Sequence, residues 1–455
     1  MTPPLAVPLD SIRAALEGAI PAAVATCSPE GVPNVSNVSQ VHYVDPDHVA
    51  LSFQFFNKTR QNVLATRRAA VLVIDPVSSA RYRLALDYVR LETEGPLFER
   101  MKAHLAGIAS HTGMAGVFRL QGADVYRVLS VEQVEGFSRP GTAPQRHHLA
   151  AVRAIAQRIA GCADLSNLLD EALTALDDSL GIRHAMILMA DRNAGKLYTV
   201  ASRGYDASGV GSEIAFGEGV IGVAARERTP IRIMHRDYEW GYGRSIRDSA
   251  AARGLASLLD TEIPMPGLPD SRSQLAVPIV VGSTLTAILY VEDVLDRRFT
   301  YDDEDALVAV AALLGPTMRS LQELGESAGE PASQARAAAP VQGPPITLRH
   351  YAADDSVFVG DDYLIKGVAG AIAWKLLGDY VRDGRTEFTN RELRLDPAIR
   401  LPDLSDNLEA RLILLQRRMA ERTDFLALEK TGRGRFRLCV RRPVALTEAG
   451  AAGGR

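Results

Sequence analysis

Residues 217–233 read GEGVIGVAARERTPIRI, and the use made of the three glycines decides what kind of domain surrounds them. The spacing matches G-x-G-x-x-G, which cradles a pyrophosphate when it opens the helix of a βαβ unit. No βαβ continuation with a ribose-binding acid follows, so the stretch does not read as a dinucleotide loop. Upstream, Leu149–Ala160 and Leu165–Leu180 carry apolar residues at helical spacing, with Gly181 ending the second helix. Ala185–Ala190, Leu197–Ser202 and Glu213–Phe216 read as strands. Downstream, Gln274–Val281 and Thr284–Glu292 are β-runs joined across a Gly-Ser turn, and Asp302–Leu321 is a closing helix.

Around this unit the chain breaks at two Pro/Gly/Ala-rich seams, near Ser138–Arg146 and Gly325–Pro345. A length of 455 residues suits about three domains. The boundaries expected are 10–136, 147–324, a flexible linker over 325–345, and 346–445. A hydrophobic fraction of 47% fills packed cores, and a net charge of −4 excludes a chain that binds polyanions along its whole length. Cys27, Cys162 and Cys439, one per module, form neither a disulfide framework nor a zinc pattern. The N-terminus lacks the pattern of a signal peptide, and no apolar run is long enough to span a bilayer. A soluble cytoplasmic protein is expected, with no membrane partner.

The middle module resembles a GAF domain over its whole length. The carrying residues are Gly217-Glu218-Gly219-Val220-Ile221-Gly222, Pro230-Ile231, Leu275–Ile279, Leu289–Glu292 and Phe299-Thr300. The resemblance implies an α/β sensor that binds a small molecule or dimerises, with the glycines starting a helix tightly against the sheet. A bilin attached in such a pocket needs a cysteine, and none occurs between Cys162 and Cys439. Cyclic-nucleotide members carry an Asn-Lys pair upstream of Phe-x3-Asp-Glu. This chain keeps Phe299, Asp303 and Glu304 but has neither residue in Val291–Arg298. A long insert from His235 to Ser273 lies where the family's pocket lid sits. Its Tyr238, Trp240, Tyr242, Arg244 and Arg247 suit closure over an anionic or planar ligand, or equally packing on the domain itself or a dimer contact.

The first module has a helix-like Ser11–Ala19, then strands at Ala22–Cys27, Pro33–Tyr43, His48–Phe55, Ala69–Asp75 and Leu84–Pro96. A polar segment, Asn57–Arg68, interrupts them; Phe98–Ser110 is helical, and Ala115–Val131 is expected to supply a closing pair. Short antiparallel strands of this kind build a small barrel. The strand–Pro-Glu-Gly turn–strand–Asp-Pro-Asp turn order, followed by SFQFFNKTRQNVLATRRAAVLVID over 52–75, resembles the FMN-binding split barrel of the pyridoxamine 5'-phosphate oxidase superfamily. The resemblance places the flavin phosphate on Asn57, Lys58 and Thr59, with Arg60 and Asn62 as further candidates. The ring would lie along Ser52, Phe53, Gln54 and Phe55, with Ser36, Asn37 and Gln40 on the neighbouring strand. A dianion needs convergent donors and positive charge, which NKTRQN supplies; the alternative is the start of a solvated helix. Vitamin-oxidising members carry Arg-x-His near the barrel's end, where this chain has Tyr126-Arg127-Val128-Leu129, so oxidation of pyridoxamine phosphate is not expected. Related barrels accept haem or a deazaflavin, which makes His104 and His111 candidate axial ligands as well as ordinary surface histidines.

In the third module Tyr363–Arg382 reads as an amphipathic helix, Thr389 as the cap of a short helix from Asn390, and Asp406–Arg422 as a third helix. Phe425–Glu429 and Arg435–Val440 form a hairpin around Thr431-Gly432-Arg433-Gly434, which is the order of a winged helix. From Asn407 to Arg442 ten basic residues face four acids, a net of +6. Arg411, Arg418, Arg422, Lys430, Arg433 and Arg435 are the candidate nucleic-acid contacts; a solvated face or a protein-binding winged helix is the alternative.

The fold class expected is therefore multidomain α+β: an antiparallel split β-barrel, a GAF domain and a winged-helix-like C-terminal domain. No catalytic or metal constellation is apparent. Two pocket modules ahead of a basic module describe a signalling or transcriptional regulator, with a flavin-dependent oxidoreductase regulated by its GAF domain as the alternative. Both resemblances imply a homodimer.

Overall fold

The computed structural model describes residues 7–16, 20–38, 41–53, 58–76, 78–111, 120–134, 147–234, 263–327, 343–397, 399 and 408–449. The first unit opens with a 3-10 turn, Leu9–Ile12, running into α1 (Arg13–Leu16). Strands β1 (Ala22–Cys27), β2 (Pro33–Val38), β3 (Val41–Asp45) and β4 (His48–Phe53) follow, then helix α2 (Lys58–Thr66). The remaining elements are β5 (Arg68–Ile74), β6 (Arg81–Glu92), α3 (Pro96–His111) and β7 (Gly122–Val134). The seven strands form one sheet in the order β2-β1-β5-β6-β7-β4-β3, every pairing antiparallel. Alternation drives the closure: β5 buries Ala69, Val71 and Val73 against Val24, Val49, Leu84 and Leu86.

Two expectations change here. The polar segment 57–68 contains a helix, the alternative given above, but Lys58–Thr66 is not simply solvated: it buries Arg60 and Asn62 together with Val63. The closing pair expected over 115–131 is, in its described part, one long strand. β7 pairs with β6 on one side and β4 on the other, and register shifts at Ala85/Leu86 and Tyr88/Arg90 interrupt the β6 pairing. Such bulges increase the local bend and twist of a sheet.

The second unit contains α4 (His148–Ala160), α5 (Leu165–Leu180), β8 (His184–Asp191), β9 (Lys196–Arg203) and β10 (Glu213–Ala215). α6 (Gly219–Glu227), β11 (Ile231–Ile233), β12 (Ser273–Val281), β13 (Thr284–Asp293) and α7 (Tyr301–Ser327) complete it. The sheet order is β10-β9-β8-β13-β12-β11. Strand alternation sends Ile187, Leu289 and Val291 towards α4, α5 and α7, and Met186, Ile288 and Tyr290 towards α6. Gly217 and Gly219 have φ of 91° and 58°, and a Cβ at Gly222 would collide with the Ala215 carbonyl. The glycine motif is therefore a packing device that brings α6 onto β10.

The third unit begins with a meander absent from the sequence reading: β14 (Ile346–Tyr351), β15 (Ser356–Val359) and β16 (Asp362–Ile365). The helix expected from Tyr363 begins only as α8 (Gly367–Asp383), because Tyr363 and Ile365 pair with Phe358 and Val357. β17 (Glu387–Thr389), α9 (Asn390–Leu395), α10 (Leu408–Arg422), β18 (Leu426–Gly432), β19 (Arg435–Val440) and β20 (Val444–Ala449) follow. Thr389 caps α9 in a full capping box with Glu392. β20 pairs parallel to β14, and β17-β19-β18 make a separate three-stranded sheet.

The units pack on the middle one. Ala103 of α3 joins the core formed by α6 and β11. Tyr301 lies between the guanidinium groups of Arg13, 4.6 Å from its ring centre, and Arg232, 4.0 Å from it. On the other flank, Leu414 and Leu415 of α10 share one continuous core with Leu165, Leu169 and Val200.

Candidate functional site

In the first unit α2 starts where β4 delivers the chain, and β2 runs alongside. Period-2 alternation on β2 turns Asn34 and Ser36 towards α2. Asn34 Nδ2 donates to Thr59 Oγ1 at 2.9 Å, and the Ser36 and Thr59 hydroxyls lie 2.9 Å apart. Asn62 is buried and donates to Thr26 Oγ1 at 3.2 Å. Lys58 is exposed at the first turn of α2, which contains no acidic residue. A lysine, two hydroxyls and helix-terminal N–H groups are the kinds of donor that a phosphate accepts from.

Arg60 does not join this group. It is 9% exposed, donates to both Asp124 oxygens at 2.7 and 2.6 Å, and lies 3.7 Å from the Phe53 ring centre. Burial raises the Asp124 carboxyl, and the neighbouring guanidinium offsets part of that rise. Arg60 is thus a structural cation, a role its sequence neighbours conceal. Ser52 is half-buried opposite Ala123 on β4, and Asn37 is exposed, out of phase with Ser36. Gln40, Gln54 and Asn57 lie outside the described residues. Asn34 was missed, although it is two residues from Ser36 on the same strand face.

His104 turns to the seam with the middle unit, next to the Pro230 backbone, Arg232 and Glu304. Its ring is 5.5 Å from that of His42. Burial pushes His104 down to about 4 and His42 well below the usual value. One turn further, Gly107 packs against Ile231 with no room for a Cβ. Haem ligation by His104 does not fit this close-packed seam. The side chain of His111 lies outside the described residues.

In the middle unit Tyr290 and Glu292 stand on the α6 side of β13. Glu292 is 3% exposed and accepts from the Leu268 N–H at 3.1 Å and from Tyr290 Oη at 3.4 Å. Burial raises its carboxyl above the usual range. Tyr205 and His184 meet nearby with tilted rings, ring centres 5.7 Å apart. The alternation Tyr290-x-Glu292 carries the signal for this polar group. The lid candidates Tyr238, Trp240, Tyr242 and Arg244 lie outside the described residues.

The basic candidates of the third unit separate. Arg411 and Arg418, two of the candidate nucleic-acid contacts, are each only 6% exposed and so do not face solvent in this arrangement. Arg411 bonds Asp191 at 2.5 Å; Arg418 donates to the Leu364 carbonyl at 3.1 Å and to Glu421 at 3.2 Å. Lys430 bonds Glu409 at 3.1 Å. Arg422 and Arg433 are exposed, and Arg435 is half-buried. A small cleft between α10 and the β18–β19 hairpin is lined by Leu412, Gln416, Lys430, Arg435 and Phe436, together with Ser166 of α5. Among the described residues no group of three metal-ligating side chains occurs, and no helix is long and apolar enough to cross a membrane.

Comparison with known proteins defines the modules. Residues 9–132 match the family model for pyridoxamine 5'-phosphate oxidase, and residues 164–318 match that for the GAF domain. The chain therefore contains an FMN-binding-type split barrel followed by a GAF domain. No curated protein matches it. Among solved structures, the GAF domain of an Acinetobacter phosphoenolpyruvate-protein phosphotransferase is 19% identical, covering 41% of this chain and 99% of that one, with a TM-score of 0.31. An FMN-binding protein from Syntrophomonas wolfei is 18% identical over 28% of this chain and 82% of that one, with a TM-score of 0.23. Free methionine-R-sulfoxide reductase from Neisseria meningitidis, in complex with its substrate, is 18% identical over 39% of this chain and 90% of that one, with a TM-score of 0.30.

Proposed function

We propose that this protein is a homodimeric transcriptional regulator in which the split barrel and the GAF domain receive a redox or metabolite signal and the third unit delivers it to DNA. The observation that carries the output reading is the order α8–β17–α9–α10–β18–β19, whose three strands join in one sheet. That is the order of a winged helix, with α10 as recognition helix and Arg433 at the exposed tip of the wing. The net +6 of Asn407–Arg442, in a chain of net −4, supports a local polyanion contact.

On the input side Lys58 and Thr59, with Asn34 and Ser36, would hold the flavin phosphate, and bound FMN would supply a redox centre. Val35 on the edge strand β2 is 69% exposed, with Val32 and Leu64 nearby in the same unit, an apolar rim that a second barrel would cover. Glu292 and Tyr290 mark the GAF ligand side.

Two measurements test the reading. The visible spectrum after adding FMN should show a bound flavin that is lost in the Lys58→Ala/Thr59→Ala variant. Duplex DNA binding should weaken with salt, and Arg422→Ala with Arg433→Ala should reduce the slope by about 1 per residue. Unchanged slope and affinity in that variant would remove the winged helix from DNA. Steady oxidation of a nicotinamide donor by the flavin-loaded protein would instead favour an oxidoreductase.

A further inference from the structure

The helix assigned above as the DNA-reading element is almost entirely covered. Of α10, only Gln416, Ala420, Glu421 and Arg422 are exposed. One side packs on its own unit; the other lies on α5 and the β8–β9 region of the GAF domain. The contact is charge-matched. Arg411 meets Asp191 at 2.5 Å and stacks 4.0 Å from the Tyr198 ring centre. Arg417 meets Asp170 at 2.7 Å and donates to the Val200 carbonyl at 3.0 Å. Lys430, at the start of the wing, lies 3.7 Å from Asp164. Beside them Glu421 accepts from Ser208, and a Cβ at Gly211 would lie 3.5 Å from Leu414 and 3.6 Å from Arg418. Three GAF carboxylates thus face three of the cations that a winged helix would offer to phosphates.

We infer that the acidic face formed by Asp164, Asp170 and Asp191 is an intramolecular stand-in for nucleic-acid phosphates, holding α10 and the wing in a DNA-incompetent arrangement until the GAF domain lets go. This inference rests on the DNA reading above and adds its regulation. The two sensors suit it geometrically: the barrel sits on the β11 edge of the GAF sheet through α3, and α10 sits over β9 towards the opposite edge. A signal from either sensor reaches α10 through the same sheet. Because the contact is ionic at its rim, it competes with DNA for the same side chains, and its release adds those cations to the DNA footprint.

The test uses the full chain and a random 25-base-pair duplex. Asp164→Asn, Asp170→Asn and Asp191→Asn are combined, since asparagine keeps both the α5 cap and the β8–β9 turn acceptor while removing charge. The variant should bind DNA about tenfold tighter than wild type, with a log–log salt slope steeper by about 2–3. Equal affinity and equal slope would overturn the clamp and leave the DNA reading standing. No binding by either protein, with amide exchange showing α10 opened in the variant, would overturn the DNA reading and the clamp with it. Should the triple variant fail to fold, Asp170→Lys changes a side chain that is 63% exposed and repels Arg417. It should raise affinity a few-fold, and an unchanged affinity would again overturn the clamp.

Discussion

Arg60 and Asp124 form a buried ion pair, 2.6 Å between Nη1 and Oδ2, that bridges α2 to β7 across 64 residues of sequence. It fixes α2 against the barrel while Lys58 and Thr59, two residues and one residue earlier, stay at the rim. Breaking such a pair leaves one charge buried without its partner, which costs about 3–5 kcal/mol. Asp124→Ala should lower unfolding free energy by that order in urea titration, and the joint Arg60→Met/Asp124→Leu replacement should cost far less. A single variant within about 0.5 kcal/mol of wild type would mean that the pair is not buried in solution.

Lys58→Ala should leave stability unchanged, because Lys58 is exposed, whereas Thr59→Ala should cost about 1 kcal/mol through the lost bonds to Asn34 and Ser36. Their effect should fall on FMN affinity, about tenfold to a hundredfold for loss of a bond to a charged phosphate. Fluorescence titration of flavin checks this, and Arg60→Met measured alongside separates a phosphate contact from a structural ion pair.

The seam between the barrel and the GAF domain should be acid-labile. His104 falls from 6.5 to about 4, by burial first, with Arg232 and Arg100 adding to the fall and Glu304 opposing it. His42 is lowered by burial and by His104 and Arg100. A histidine with a depressed folded value takes up protons more readily when unfolded. Its contribution is therefore complete above pH 6.5 and is lost as pH falls towards 4. The melting temperature should drop across that window, and His104→Gln should flatten the dependence. A flat wild-type profile between pH 6.5 and 4 would contradict the buried pair.

Gly222→Ala tests the reading of GEGVIG as packing. The added methyl meets the Ala215 carbonyl and the Gly217 backbone, which cannot move aside as a flexible side chain can. A loss of about 1–3 kcal/mol of stability is expected, with no change in affinity for NADH or ATP. A selective loss of nucleotide affinity at constant stability would restore the phosphate-loop reading.

Local pattern determined a large part of this protein. Short apolar runs bounded by turns placed β5, β8, β12 and β13. Helical spacing with Gly181 placed α5, and Thr389 with Glu392 placed the cap of α9. These features depend on neighbours within a few residues, which the chain displays openly. The β14–β16 meander was concealed because its strands are short and polar at their turns, and because Leu364 continues the apolar stripe of the helix that follows. Only tertiary structure decided which charges are available. Arg60 and Arg411 look like phosphate ligands by residue type, yet their carboxylate partners, Asp124 and Asp191, stand 64 and 220 residues away. A charge is a property of one residue, whereas its availability depends on what the fold brings within about 4 Å of it. The sequence set the basic residues on α10, and packing against α5 and β9 determined that the helix is held.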